Sequence, residues 1–304
     1  MTIDITAANR FMIAHARLLD RRRFGLITGD CGPDAAVAAL AAYGDTDGDT
    51  DGDTGGGYGW ALEPDLRAPE SQPVCALHAF EVFADIAPAT SPRAAALCDW
   101  LASVTLPDGG LPFALPIAGD TTGTAPFWLD ADPRRSSLHM TAMLAGIAHR
   151  VGAHDPAVAR HPWLARATGH AMDAIAALEG PGHAIEFRFV LQLLDVLYGA
   201  HPEAPAQLRR LAAFLPESGR MPVAGGAPGE SLGPLDFAPL PGTPLRALLP
   251  ADHVAAELER LAAGQLPDGG WTVDWESRTP AGALEWRGWA TVRALTILRA
   301  NSLL

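Results

Sequence analysis

The chain has 304 residues, of which 48% are hydrophobic, and a net charge of −13 at pH 7. This acidic balance argues against a nucleic-acid partner and against docking on anionic lipid, because both need a basic surface. The three cysteines form no CxxC pair. No apolar run approaches the roughly 20 residues of a membrane span, and no signal peptide is recognisable, so we expect a cytoplasmic protein.

Apolar residues recur at helical spacing through most of the chain, and no alternating strand pattern appears. Pro- and Gly-rich connections fall at residues 106–135, 216–250 and 267–283. The spacing predicts helices, in chain order, at about residues 6–22, 33–43, 71–86, 91–105, 136–152, 163–178, 184–199, 204–214, 251–264 and 284–300.

An aspartate-rich stretch separates the second and third predicted helices. Aspartate occupies every second position from Asp45 to Asp53, among Thr and Gly. Residues 47–52 match the start of an EF-hand loop, but Tyr58 stands where such a loop needs a bidentate Glu. We interpret residues 44–57 as an expanded, solvated and flexible loop, and weak Ca²⁺ binding by Asp45–Asp53 stays open.

An internal repeat is the main organisational signal. The segments LASVTLPDGGLPF at 101–113 and LAAGQLPDGGWTV at 261–273 share LA, three variable residues, LPDGG and an apolar residue. Looser copies occur at 39–60 and 211–223. Each is an Ala/Leu-rich helix that ends in a Gly-rich turn, so we predict an all-α protein of about 11–12 helices built from helix-pair repeats.

The segment QLPDGGW at 265–271 resembles the QW-type repeat of the prenyltransferase and squalene-cyclase superfamily. The resemblance spans about residues 35–300 and implies an α/α toroid, also called an alpha-alpha barrel, that forms a single domain over residues 1–304. In such repeats the glutamine and the aromatic residue have structural roles. We therefore expect Gln265 to cap a neighbouring helix and Trp271 to pack on an adjacent turn.

The resemblance suggests two chemistries, zinc-dependent prenyl transfer and protonation-initiated cyclisation. The zinc site needs an Asp-x-Cys pair, whereas Asp30 and Cys31 are adjacent here, and we reject it. Class II terpene cyclases protonate the substrate from a DxDD-type motif, and Asp130-Ala131-Asp132-Pro133 matches its first three positions. The resemblance implies Asp132 as the acid and Asp130 as its partner. The alternative is that Asp132 caps the next helix, with Pro133 in its first position.

Further candidate residues would bind the substrate. An aromatic lining stabilises carbocations, and the residues available for one are Trp60, Phe127, Trp128, Phe187, Phe189, Trp286 and Trp289. Polar candidates precede or lie on helices that would reach the funnel, namely Glu63, Asp65, Arg67, His139, Glu186 and Arg188. Each has a plainer alternative, such as a solvated loop or a satisfied buried side chain.

The leading hypothesis is a small terpene-cyclase-like enzyme that holds an isoprenoid, either a prenyl diphosphate or a polyprene, in a central apolar funnel. The alternative is a non-catalytic toroid that binds a hydrophobic ligand or a protein partner. No cofactor follows from the sequence, although a diphosphate substrate would call for Mg²⁺. A lone toroid would close its mouth with its own long loops, with a second copy of the chain as a homodimer, or with a partner protein.

Overall fold

The computed structural model describes residues 3–45 and 55–304, and the chain is mostly helical. Within these residues the strands are Met221–Pro222 and Ser231–Leu232, a short antiparallel pair in which Met221 lies opposite Leu232. The all-α prediction is confirmed. The toroid arrangement and the single domain stay predictions.

Fifteen α-helices occur in the described residues, with a 3-10 helix at Ala41–Tyr43 after the third. They are α1 Ile5–His15, α2 Leu18–Thr28, α3 Pro33–Leu40, α4 Pro73–Asp85, α5 Pro92–Val104, α6 Pro126–Leu129, α7 Leu138–Gly152, α8 Pro156–Ala159, α9 Pro162–Ala176, α10 Ala184–Val196, α11 Ala204–Ala212, α12 Pro234–Phe237, α13 Pro244–Ala247, α14 Ala251–Ala263 and α15 Pro280–Ala300.

Most helix predictions are confirmed to within a few residues, and one is wrong. The helix expected at about 6–22 is two helices, because Ala16 and Arg17 have extended backbone between α1 and α2. No Gly or Pro marks this break in the sequence. The one-turn helices α6, α8, α12 and α13 were not predicted, since four residues are too short to show a helical period.

Side chains fix where several of the helices begin. Asp4, Ser137 and Thr279 accept backbone N–H groups at 2.8, 3.2 and 2.9 Å and so cap α1, α7 and α15. Proline occupies the first turn of α3, α4, α5, α9 and α15, where its fixed φ suits the helix and its missing N–H costs nothing.

The described chain forms two compact units. The terminal unit comprises the residues up to Cys31 together with Gly180–Leu304, and the middle unit comprises Gly32–Glu179. In the middle unit α7 packs against both α4 and α9, and every residue from Met140 to Ala148 is buried. In the terminal unit α15 packs against α1, α2 and α14.

The two LPDGG turns have the same hydrogen bonds, one in each unit. In both, the leucine N–H donates to the second glycine carbonyl at 2.8 Å, and the first glycine N–H donates to the leucine carbonyl at 2.9 and 2.8 Å. The carboxylates of Asp108 and Asp268 accept the N–H of the second glycine at 3.0 and 3.1 Å. The first glycines, Gly109 and Gly269, have φ of +95° and +97°, which favours glycine. The repeat found in the sequence is therefore a structural repeat.

Each turn is also hydrogen-bonded to a long helix that comes later in the chain. The N–H of Leu111 donates to Thr141 Oγ1 at 2.9 Å, and the N–H of Trp271 donates to Thr291 Oγ1 at 3.0 Å. Thr141 lies on α7 and Thr291 on α15, and both threonines are buried. Each LPDGG turn is thus supported by a buried threonine hydroxyl of a later helix.

Gln265 and Trp271 have the structural roles that the sequence predicts. The Gln265 amide donates to the Asp4 carbonyl at 2.8 Å and accepts the Asp4 N–H at 2.9 Å, where α1 begins. Trp271 is buried, and its Nε1 donates to the Leu261 carbonyl near the end of α14 at 2.7 Å. Both side chains satisfy helix termini within the terminal unit.

Candidate functional site

The segment before α4 presents one aromatic side chain to solvent. Trp60 and Ala61 have φ of +52° and +58°, in the left-handed region that residues with a Cβ rarely adopt. The Trp60 N–H donates to the Ala68 carbonyl at 3.0 Å and closes the segment on itself. Trp60 is 59% exposed. The strained backbone of these two residues thus coincides with the exposure of the Trp60 side chain.

A cluster of charged side chains joins this segment to α4. His78 on α4 places Nε2 2.9 Å from Glu63 Oε2 and Nδ1 3.3 Å from Glu81 Oε2. Burial disfavours the imidazolium, but hydrogen bonds and charge from Glu63 and Glu81 outweigh it and raise the pKa of His78 to about 9. His78 is therefore a cation at neutral pH and links segment 60–67 to α4.

Segment 65–72 is hydrogen-bonded to the loop that precedes α7. The Asp65 carbonyl accepts the N–H of Ala125 at 2.8 Å, and the Arg67 N–H donates to Thr124 Oγ1 at 3.2 Å. The buried Gln72 amide donates to the Leu115 carbonyl at 3.1 Å and accepts the Leu115 N–H at 2.8 Å. These contacts hold the loop over the segment that contains the buried cluster.

That loop forms a half-open cavity of about 310 Å³, here called the Trp128 cavity. Its walls are formed by Leu115, Pro116, Ile117, Trp128, Leu129, Ala131 and Pro133. Leu129 is 44% exposed, so the cavity opens to solvent at that edge. The volume lies at the lower end of the range found for small-molecule sites.

Aromatic rings build the wall behind Trp128. Phe113 stacks on Trp128 with ring centroids 4.9 Å apart and an interplanar angle of 19°. Phe127 contacts Trp128 at 5.0 Å, and His139 meets the edge of Phe113 at 5.4 Å. Phe127 is 53% exposed, whereas Trp128 is 8% exposed. Three predicted residues, Phe127, Trp128 and His139, thus lie in one aromatic group.

Asp130 and Asp132 alternate in sequence with Leu129, Ala131 and Pro133, which line the cavity. Neither aspartate lines it. Both are exposed. Asp132 accepts the Arg134 N–H at 3.0 Å, and this hydrogen bond, with the nearby Arg134 and Arg135 charges, lowers the pKa of Asp132. A proton donor to an alkene must be neutral beforehand, so the environment gives the acid assignment no support, and it stays a prediction.

The helix-cap alternative for Asp132 is wrong. Helix α7 begins at Leu138, and its N-cap is Ser137, whose hydroxyl accepts the Met140 N–H. Asp132 lies five residues earlier and stabilises a turn through Arg134. The four residues between Pro133 and Leu138 supply the nearer hydroxyl cap, which is the physical reason for the difference.

The remaining predicted residues belong to the terminal unit. Trp286 is buried and Trp289 half-buried, with ring centroids 5.4 Å apart, and Trp275 contacts both. Arg188 on α10 lies over the Phe189 ring at 4.2 Å. Glu186 is half-buried in the first turn of α10.

The structure thus groups the predicted residues into separate sets. Glu63 joins the buried cluster with Asp65 and Arg67 beside it, whereas Phe127, Trp128 and His139 form the aromatic group at the cavity. His78 and Glu81 were missed. Their i, i+3 spacing within the apolar segment CALHAFEVF was the available signal, because two charged residues on one face of a buried helix need partners.

No protein-family model matches the chain, and no curated protein gives a significant match. Within residues 3–45 and 55–304, no group of three or more His, Cys, Asp or Glu side chains is arranged to hold a metal ion. None of the helices described above combines the length and the apolar character that crossing a bilayer needs.

Proposed function

We propose that the protein binds an apolar, isoprenoid-type small molecule in the Trp128 cavity. The observation that carries the proposal is a half-open cavity of about 310 Å³ whose lining residues have aliphatic and aromatic side chains, backed by the Phe113–Trp128 stack. Aromatic and aliphatic walls are typical of small-molecule sites. The bonds from Gln72 to Leu115 keep one wall in place before the ligand arrives, which lowers the ordering cost of binding.

We also propose that the chain adopts the α/α toroid of the prenyltransferase and squalene-cyclase superfamily. The identical hydrogen bonds of the two LPDGG turns support this proposal, as do the helix-capping bonds of Gln265. The isoprenoid character of the ligand derives from the same resemblance. Trp60 and Phe127, both in the middle unit, are exposed and available to a second copy or a partner protein.

Cyclisation started by Asp132 is a second candidate function. It is favoured by the position of Asp132 between Ala131 and Pro133, two residues that line the cavity. Asp132→Asn keeps the size of the side chain and removes the proton. Incubation of both proteins with prenyl diphosphates and polyprenes, with and without Mg²⁺, should yield cyclised product from the wild type alone. Equal product from the variant would exclude Asp132 as the acid.

The binding proposal is tested by filling the cavity. Ala131→Phe places a ring among the lining residues, whereas Ala118→Phe adds the same ring at an exposed position of the same loop outside the lining. Isothermal titration with a panel of ten- and fifteen-carbon isoprenoids should give binding at least about tenfold weaker for Ala131→Phe and unchanged for Ala118→Phe. Equal affinities for the two variants would contradict the proposed site.

A further inference from the structure

A second cavity of the middle unit has charged side chains in its lining, unlike the Trp128 cavity. It has a volume of about 350 Å³, is open to solvent, and is here called the α3 groove. One wall is helix α3, and the other is the segment of residues 86–93 that joins α4 to α5. The groove shares no lining residue with the Trp128 cavity, so the two sites are separate.

The wall that α3 provides is aliphatic with one carboxylate. Four of its lining residues have the i, i+3, i+4, i+7 spacing of a single helix face, namely Asp34, Val37, Ala38 and Ala41. Asp34 lies in the first turn of α3, and Ala41 follows the last residue of the helix. Ile86, which is buried, contributes an aliphatic side chain to the other wall. The lining between the two ends of α3 is therefore apolar.

A guanidinium lies near the far end of this helix face. Arg93, at the start of α5, also lines the groove and is exposed. Its Nη1 lies 4.0 Å from the position that a Cβ on Gly44 would occupy, and that position is 3.4 Å from the Ala41 carbonyl oxygen. The Arg93 side chain is hydrogen-bonded to the buried Tyr58 hydroxyl. Burial raises the pKa of Tyr58 to about 12, so the phenol stays neutral and does not compensate the guanidinium charge.

The two opposite charges of the groove are thus held apart. Ala41 follows Asp34 by seven residues, which at 1.5 Å per residue places the two ends of the face about 10 Å apart. Within residues 3–45 and 55–304, no ion pair joins Asp34 to Arg93. A carboxylate in the first turn also stabilises α3 through the helix dipole, but that effect does not depend on which face of the helix it occupies.

We propose that the α3 groove binds a small zwitterion that carries its ammonium and carboxylate groups at opposite ends of an aliphatic chain, an ω-amino acid of about four to six carbons. Asp34 accepts hydrogen bonds from the ammonium group, and Arg93 donates to the carboxylate. The methylene groups pack on Val37 and Ile86. Contacts of about 2.8 Å at each end leave the charged groups of the ligand about 5 Å apart, which excludes an α-amino acid, because a single carbon joins its two charged groups.

The volume agrees with a ligand of this size. At roughly 30 Å³ for each water-sized atom, 350 Å³ holds on the order of ten non-hydrogen atoms, and 5-aminopentanoate has about eight. This inference does not depend on the proposed function, because it concerns a different cavity. Failure of isoprenoid binding at the Trp128 cavity would leave it intact, and its own failure would leave the isoprenoid proposal intact.

The first test compares four ligands with five carbons each: 5-aminopentanoate, its isomer 2-aminopentanoate, pentylamine and pentanoate. In ¹H–¹⁵N spectra of the wild type at low ionic strength, 5-aminopentanoate should shift the amide resonances of Val37, Ala38 and Ala89, which line the groove. One exposed charge contact contributes up to about 1 kcal/mol, or about fivefold in affinity. The other three ligands should therefore bind about fivefold more weakly than 5-aminopentanoate.

The second test removes each charge separately. Asp34→Asn should weaken 5-aminopentanoate and pentylamine about fivefold and leave pentanoate unchanged, whereas Arg93→Gln should weaken 5-aminopentanoate and pentanoate and leave pentylamine unchanged. Asp173→Asn and Arg150→Gln are matched controls, because both residues are exposed in the middle unit and lie outside the groove. Asp34 is exposed, so Asp34→Asn still tests the proposal if loss of the Tyr58 contact disturbs the folding of Arg93→Gln.

Three outcomes would overturn the proposal. The first is that 5-aminopentanoate shifts none of the groove resonances of the folded wild type. The second is that 2-aminopentanoate binds as tightly as 5-aminopentanoate, since the separation of the charges would then have no effect. The third is that Asp34→Asn weakens pentanoate and pentylamine equally, or no more than Asp173→Asn does. The crossed pattern, in which each variant affects only the ligands that carry the opposite charge, is the result that supports it.

Discussion

Replacement of His78 by glutamine removes the cation from the buried cluster with Glu63 and Glu81. The hydrogen bonds at 2.9 and 3.3 Å join a charged imidazole to the buried carboxylate of Glu63 and the half-buried carboxylate of Glu81. Truncation of one partner in such a cluster leaves uncompensated buried charge, which typically costs about 3–5 kcal/mol. We therefore expect His78→Gln to lower the free energy of unfolding strongly at neutral and mildly acidic pH.

The penalty should depend on pH in a defined direction. The pKa of His78 rises on folding from 6.5 to about 9, so its charged form stabilises the fold. That contribution is complete below pH 6.5 and is lost as the pH rises through about 9. At about 1.4 kcal/mol per pKa unit, the contribution corresponds to about 3 kcal/mol.

Urea unfolding followed by circular dichroism, at intervals from pH 6 to pH 9.5, measures this effect. The difference between wild type and His78→Gln should shrink by about 3 kcal/mol across the series. His201→Gln, a histidine outside the cluster, controls for loss of a histidine in general. A difference that stays constant with pH, or an NMR titration of His78 with its midpoint near 6.5, would refute the reasoning.

Further predictions follow from the turns and loops. Gly269→Ala should lower the free energy of unfolding in urea by at least about 2 kcal/mol, because φ is +97° and a Cβ there would overlap the Ala7 backbone. The control variant Gly180→Ala meets no atom within 4 Å and should be close to neutral. Equal losses of stability in the two variants would contradict this prediction. Gln72→Ala should weaken isoprenoid binding in calorimetry and lower the melting temperature, because it leaves the Leu115 N–H and carbonyl without their hydrogen-bond partner. Unchanged binding would show that the loop does not depend on this side chain. Deletion of residues 45–52 shortens the connection, so the free energy of unfolding in urea should stay unchanged or rise by about 1 kcal/mol. A loss above about 1 kcal/mol would contradict the expanded-loop interpretation.

Much of the secondary structure could be predicted because its signals are local. The helix at 92–104, for example, shows its cap, its first-turn proline and its apolar period within the segment itself. The LPDGG turns were recognisable because their glycines and aspartates have fixed roles in the turn. The break between α1 and α2 was missed because Ala16 and Arg17 carry no local signal for extended backbone.

The candidate site was harder to predict because its parts are distant in sequence. Nothing near Glu63 indicates that its partner is His78, since that pairing depends on how the segment before α4 folds back on the helix. Likewise, Gln72 and Leu115 are 43 residues apart, and their pairing defines a wall of the cavity. The aspartate motif was prominent in the sequence but exposed in the structure, because a local pattern carries no information about burial.

The pairing of Gly44 with Tyr58 has a practical consequence. These two residues form an antiparallel bridge, and adjoining bonds run from the Asp45 N–H to the Gly57 carbonyl and from the Gly59 N–H to the Tyr43 carbonyl. Asp47, Asp49, Asp51 and Asp53 lie outside the described part of the chain. Because the two sides are joined at this base, the chain between them can change in length without moving its ends. A fluorescent protein or an affinity tag inserted there would label the middle unit while both of the protein's termini remain unmodified.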